Sequence, residues 1–175
     1  AGRTGGLPFV GPGWYRLSFE VPEYTDGRSC KLVFDGAMSH ANVYINGQHA
    51  AYWPYGYNSF IVDATPYIKA GAVNELAVRL ENYNESSRWY PGAGLYRNVH
   101  LVVTENAYVP EWGTQIMTTE IGPKHADVTQ TTEFVVPEGK QFSDYRIHTQ
   151  IFDPQGKLAA KEEKAGTEYD NNVFE

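Results

Sequence analysis

Short stretches in which apolar and polar residues alternate run through the first hundred positions of the chain. In residues 75–81, Leu76, Val78 and Leu80 point to one side of an extended strand, and Ala77 and Arg79 point to the other. Similar stretches predict strands at residues 14–21, 31–34, 41–45, 48–52, 59–62, 75–81 and 97–104. No stretch sustains the period of a helix. Seven or so short strands separated by turns are typical of an all-β sandwich or jelly roll.

Turn residues support this division into strands. Asn46-Gly47 lies between two of the stretches and is a strong signal for a two-residue β-hairpin. Asp63 is placed to cap a short helical turn around residues 66–68, which ends near Gly71. We also expect Leu95 and Tyr96 to be buried beside the last strand.

Composition changes near residue 107. Ten of the 13 Tyr precede this point, where 8 basic residues face 9 acidic ones, whereas 6 basic and 12 acidic residues follow it. Further strands are expected at 128–136, 145–152 and 157–161, the last two joined by a type I turn at 153–156. We therefore predict two domains, residues 1–107 and residues 108–175.

The charge and the residue inventory argue against several function classes. A net charge of −7 without a basic stripe is untypical of a nucleic-acid binder, and no apolar run approaches the ~18 residues of a membrane span. The single cysteine cannot form an intrachain disulfide, and the five His lack metal-ligand spacing. Phosphate-loop, dinucleotide and nucleophile-elbow motifs are missing too. We expect no cofactor and no metal. The single cysteine leaves the compartment open, and a periplasmic or extracellular location is only slightly favoured over a cytoplasmic one.

The aromatic loop at residues 86–97 holds candidate binding residues. Rings held beside Pro and Gly at a rigid turn, with a guanidinium next to them, suit the apolar face and hydroxyl rim of a pyranose. Alternatively, the same rings plug the end of the sandwich, as most large aromatics do. The candidates in this loop for contact with a sugar are Arg88, Trp89 and Tyr90.

With these residues in view, the chain resembles the N-terminal part of glycoside hydrolase family 2, the β-galactosidase and β-glucuronidase group. The order and spacing of six segments carry the resemblance: GWYR at 13–16, FDG at 34–36, ANVYING at 41–47, GYNSF at 56–60, NELAVR at 74–79 and SRWYPGAGLYR at 87–97. Residues 112–114 and 153–156 resemble the start of the family's next, immunoglobulin-like domain, which would be truncated here.

The resemblance implies a jelly-roll sugar-binding domain beside a catalytic (β/α)8 barrel. The family's acid/base and nucleophile are glutamates on that barrel, so no catalytic residue can be assigned in this sequence. The expected role is that of a non-catalytic region of a retaining glycosidase such as a β-galactosidase. Its expected partners are the barrel domain and a carbohydrate substrate, and self-association of the second domain through its strand edges is a further expectation. Because loops of the family's first domain approach the active site, the resemblance makes Arg88, Trp89, Tyr90, Tyr55, Tyr57 and Asn58 the candidates for contact with the substrate or the barrel. A free-standing carbohydrate-binding module and a structural interaction sandwich are the alternatives.

Overall fold

The computed structural model describes residues 10–24, 27–83 and 93–166, and the backbone of 173–174. In these residues the chain is built of strands and two short 3₁₀ helices, so the predicted all-β class is confirmed. No helix in the described part of the chain has the length and apolar character needed to cross a bilayer. The chain divides into two compact units, Ala1–Thr104 and Glu105–Glu175.

The described residues of the first unit form nine strands. They are β1 (Gly11–Glu20), β2 (Ser29–Phe34), β3 (Ala37–Met38), β4 (Ala41–Ile45), β5 (Gln48–Trp53), β6 (Phe60–Asp63), β7 (Val73–Asn82), β8 (Gly94–Leu95) and β9 (Val99–Thr104). All seven strands predicted in this part of the sequence are present, with shifts of a few residues at their ends. The two-stranded ribbon of β3 and β8 was not predicted.

Seven of these strands form two antiparallel sheets, and β3 and β8 form a separate two-stranded ribbon. One has the order β1-β7-β4-β5, and the other has the order β6-β2-β9. Side chains from β2, β4, β6 and β7 meet in a shared core, in which Phe34, Val43, Ile45 and Val78 are at most 1% exposed. The first unit is therefore a β-sandwich.

The predicted hairpin and helical turn both form. Residues 46 and 47 join β4 to β5, with φ of 50° at Asn46 and 81° at Gly47. A 3₁₀ helix spans Thr65–Tyr67, and the Asp63 carboxylate accepts a hydrogen bond from the backbone N–H of Thr65 at 3.1 Å. Thus Asp63 satisfies a donor at the start of this turn, as expected of a cap.

One apolar face is less buried than its alternation suggests. Tyr15 and Leu17 of β1 are 42% and 61% exposed, although they point to the same side as the packed Phe19. β1 is the edge strand of a four-stranded sheet, and the facing sheet has only three strands. The middle of β1 therefore extends beyond the area that the three-stranded sheet covers.

The second unit has two small antiparallel sheets. β10 (Thr114–Ile121), β11 (Ala126–Glu133) and β14 (Val173–Phe174) form one, and β12 (Arg146–Phe152) and β13 (Leu158–Ala165) form the other. The predicted turn at 153–156 is present, since the N–H of Gly156 donates to the Asp153 carbonyl at 2.9 Å. Strand β10 was not predicted. Every fully buried hydrophobic residue in the described part of the chain belongs to the first unit.

Candidate functional site

The loop at residues 54–59 leaves β5 at one end of the first unit and stands on a stack of aromatic rings. The rings of Phe34 and Phe60 are parallel within 1°, with centroids 4.6 Å apart. Trp53 continues the stack, its centroid 5.4 Å from that of Phe60. Phe34 and Phe60 are at most 4% exposed. The loop is therefore fixed at both ends to a rigid part of the core.

Two side chains from elsewhere in the first unit hold the backbone in the middle of the loop in place. The Tyr96 hydroxyl donates a hydrogen bond to the Gly56 carbonyl at 2.7 Å. Gly56 also packs so closely on Met38 that a Cβ there would collide with the Met38 sulfur. Met38 and Leu95 belong to the small β3–β8 ribbon, which ties residues 37–38 to residues 94–95. The loop is thus clamped between the ribbon and the aromatic stack.

The predicted loop residues lie together on the surface. Tyr55 and Tyr57 are 53% and 52% exposed, and their ring centroids are 5.5 Å apart at 58°. Asn58 follows them and is exposed as well. Two exposed rings on a clamped loop, with an amide beside them, can stack on a flat apolar face and hydrogen-bond at its edge. Arg88, Trp89 and Tyr90 lie outside the described residues.

Tyr96 and Arg97 lie beside these residues, and neither was among the contact residues predicted from the sequence. The expectation that Tyr96 is buried is wrong: it is 44% exposed, because only the hydroxyl end of its ring turns inward, where it packs on Gly36 and reaches Gly56. The Arg97 guanidinium lies 5.5 Å from the Tyr96 ring centroid, as in a cation–π contact. The available signal was the position of both residues at the end of the same aromatic stretch as Trp89.

A second group of polar rings borders the loop and was also missed. The N–H of His40 donates to the Pro54 carbonyl at 3.1 Å. The His40 Nδ1 and the Tyr52 hydroxyl share a hydrogen bond of 2.7 Å, and the Tyr83 ring meets the His40 ring edge-on at 4.8 Å. Within β7, an ion pair joins Arg79 to Glu81. These groups place hydrogen-bonding atoms next to the exposed tyrosines.

The ionisable groups of this region are engaged in structural contacts. The Asp35 carboxylate lies 3.1 Å from the Nε2 of His100, and the Ser59 hydroxyl donates to the Asp35 carbonyl at 3.1 Å. Within residues 10–24, 27–83 and 93–166, no group of three or more His, Cys, Asp or Glu is arranged to hold a metal ion. The arrangement supports binding by stacking and hydrogen bonds.

Comparison with known proteins gives these features a context. Residues 8–105 match the sequence model described as "Glycosyl hydrolases family 2, sugar binding domain". The beta-galactosidase BoGH2A of Bacteroides ovatus is 36% identical over 167 residues, which are 95% of this chain and 20% of that protein. A beta-glucuronidase of Formosa agariphila is 30% identical, over 86% of this chain and 17% of its own length. The chain therefore spans about a fifth of the length of these relatives.

Solved structures show the same fold. A family 2 glycosyl hydrolase of Bacteroides cellulosilyticus superposes with a TM-score of 0.82 and is 31% identical, covering 88% of this chain and 20% of that one. A beta-glycosidase of Bacteroides vulgatus superposes with a TM-score of 0.79 and is 30% identical in sequence, covering 94% of this chain and 20% of that one. The similarity extends through both units, beyond the residues that match the family's sugar binding domain.

Proposed function

Because the chain belongs to glycosyl hydrolase family 2, through that family's sugar binding domain, we propose that it serves a glycosidase acting on β-galactosides or β-glucuronides. The relatives named above are a beta-galactosidase and a beta-glucuronidase, of which the matched region makes up 20% and 17%. In this proposal the chain contributes a rigid, non-catalytic part of the enzyme. The catalytic carboxylates belong to the rest of the protein.

The clamped aromatic loop is the observation that supports this role. Tyr55, Tyr57 and Asn58 are exposed on a loop whose backbone is tied to Tyr96 and Met38. A loop fixed in this way presents its rings without losing much conformational freedom on binding. We assign Tyr55, Tyr57 and Asn58, together with Arg88, Trp89 and Tyr90, to contact with the substrate or the catalytic domain.

The first test measures hydrolysis by the 175-residue chain itself. We expect no turnover of nitrophenyl β-galactoside, β-glucuronide or β-mannoside, because the catalytic pair lies elsewhere. The parent glycosidase, purified in parallel, is the positive control. Turnover that copurifies with the chain through successive columns would contradict the proposal.

The second test separates contact residues from structural ones by thermal melting. Trp89→Ala should change the midpoint little and should weaken binding or turnover in the parent enzyme. Trp53→Ala is the matched control, since removing a stacked core ring should cost ~3–5 kcal/mol of the free energy of unfolding. A loss of that size in Trp89→Ala would show that Trp89 is a core plug.

A further inference from the structure

The solvent-facing side of the four-stranded sheet carries a concavity that the loop site does not include. It has a volume of about 480 Å³ and is open to solvent. Its lining comes from β1, β4, β7 and the 46–47 turn, with side chains of Trp14, Arg16, Ser18, Tyr44, Glu75 and Ala77. Such a volume lies within the ~300–1,000 Å³ typical of small-ligand sites.

The concavity exists because a small residue stands between large ones. Strand pairing places Arg16 of β1 on one side of Ala77 and Tyr44 of β4 on the other. Side chains opposite one another in a sheet share a face, so the Ala77 methyl forms a low floor between a guanidinium and a phenol ring. A larger side chain at position 77 would fill this space.

Two aromatic rings form the apolar wall. The Trp14 and Tyr44 centroids are 5.7 Å apart with the ring planes tilted by 35°, and Trp14 is 50% exposed. The Arg16 guanidinium lies 5.8 Å from the Trp14 centroid. The result is an apolar surface of two rings with a charged donor group beside it.

The opposite rim is rigid and polar. The Asn46 side chain accepts a hydrogen bond from the Glu75 N–H at 3.0 Å, and the Asn46 N–H donates to the Glu75 carbonyl at 2.8 Å. Asn46 in turn donates to the fully buried Asn74 at 2.8 Å. These bonds fix the backbone from which the exposed Glu75 carboxylate projects, opposite Ser18 of β1.

We propose that this concavity binds a neutral hexopyranose unit of a carbohydrate. The apolar C–H face of the sugar stacks on Trp14 and Tyr44, while Arg16 and Ser18 donate to its oxygens and Glu75 accepts from its hydroxyls. Arg16 and Glu75 carry opposite charges beside the Ala77 floor, so their charges offset each other. A negatively charged uronate therefore gains no electrostatic advantage over a neutral sugar. The features that this ligand needs are an apolar ring surface, hydrogen-bond donors and an acceptor, and all three are present on a preorganised sheet.

This site is separate from the aromatic loop. The concavity lies toward the 46–47 turn, whereas the loop at 54–59 leaves the other end of β5. Binding here therefore does not depend on the loop being a substrate contact, and the two sites can be tested independently.

The test is a ¹H–¹⁵N NMR titration of the 175-residue chain with methyl β-galactoside, read at the indole N–H of Trp14. Trp14→Phe identifies this signal among the four tryptophans. We expect saturable shifts at Trp14 and around Ala77. Trp14→Ala should weaken binding about tenfold or more, as expected for loss of an aromatic stacking surface, and Ala77→Leu should abolish it by filling the floor.

Controls make the outcome decisive. Trp112→Ala, which removes a ring 64% exposed in the second unit, should leave the affinity unchanged. Overlay of the remaining resonances shows that each variant is folded. Binding kept in Trp14→Ala and lost in Tyr57→Ala would overturn the concavity and leave the loop as the sugar site. Absence of shifts at Trp14, or tighter binding of methyl β-glucuronide than of the galactoside, would overturn the proposal as stated.

Discussion

Cys30 shows how a single buried side chain responds to the core around it. Its thiol is 0% exposed, and burial, followed by the negative charge of Asp63, raises its pKa from 9.0 to about 11. The folded protein therefore holds the neutral thiol, whereas the unfolded chain ionises near pH 9.0. Because the folded pKa is the higher one, this contribution to stability is complete below pH 9.0 and is lost as the pH rises through about 11.

We predict that Cys30→Ala removes this alkaline dependence. Between pH 9.0 and about 11, the urea midpoint of the wild type should fall more steeply than that of Cys30→Ala. The stability advantage of the wild type over the variant therefore becomes smaller as the pH rises. In the same way, a thiol reagent should label native Cys30 slowly and unfolded Cys30 fast, since the thiolate is the reactive form. Rapid labelling of the native protein would contradict the assigned burial.

Residue-scale contacts were the part of the site least accessible from sequence. The prediction of Tyr55 and Tyr57 as contact residues rests on the family resemblance, because the sequence by itself shows only an aromatic cluster. The hydrogen bond from Tyr96 to Gly56 joins positions 40 residues apart, and the one between His40 and Tyr52 joins positions 12 apart. No local pattern encodes such pairings, because they depend on strand packing.

At the scale of elements, burial on one face made most strands predictable. In β7, Leu76, Val78 and Leu80 are at most 7% exposed, and the outward positions between them are polar or small. All eight residues of β10 are exposed, so neither face imposes an apolar alternation, and this strand was missed. The β3–β8 ribbon has two residues per strand, too few to show any period.

The 46–47 turn offers a matched test of backbone conformation. Gly47 has φ of 81° and Gly13 does not need a positive φ, and a Cβ at either position would meet no atom within 4 Å. Gly47→Ala should therefore lower the free energy of unfolding by about 1–2 kcal/mol through backbone strain alone. Gly13→Ala, in a strand, should leave it unchanged or raise it slightly. Equal losses in the two variants, measured by urea unfolding, would exclude this explanation.

On the scale of the whole molecule, the two units differ in how completely they bury their apolar side chains. The first has a continuous core, whereas in the second Ile116, Ile121 and Phe152 are 64%, 83% and 53% exposed. A concavity of about 350 Å³ also opens beside Val128, Ile147 and Ile151 in the second unit. Exposed apolar faces and free strand edges of this kind recruit another chain.

We therefore predict that the first unit folds on its own, while the second is loosely ordered in isolation or pairs with a neighbouring copy. Limited proteolysis should cut after about residue 107, in the segment between β9 and β10, and should leave a resistant fragment that contains the first unit. Light scattering on the same sample reports whether copies associate, and mass spectrometry locates the cuts. Because a complete core is what protects backbone from proteases, a second unit as resistant as the first in a strictly monomeric sample would show that its exposed faces are stable without a partner.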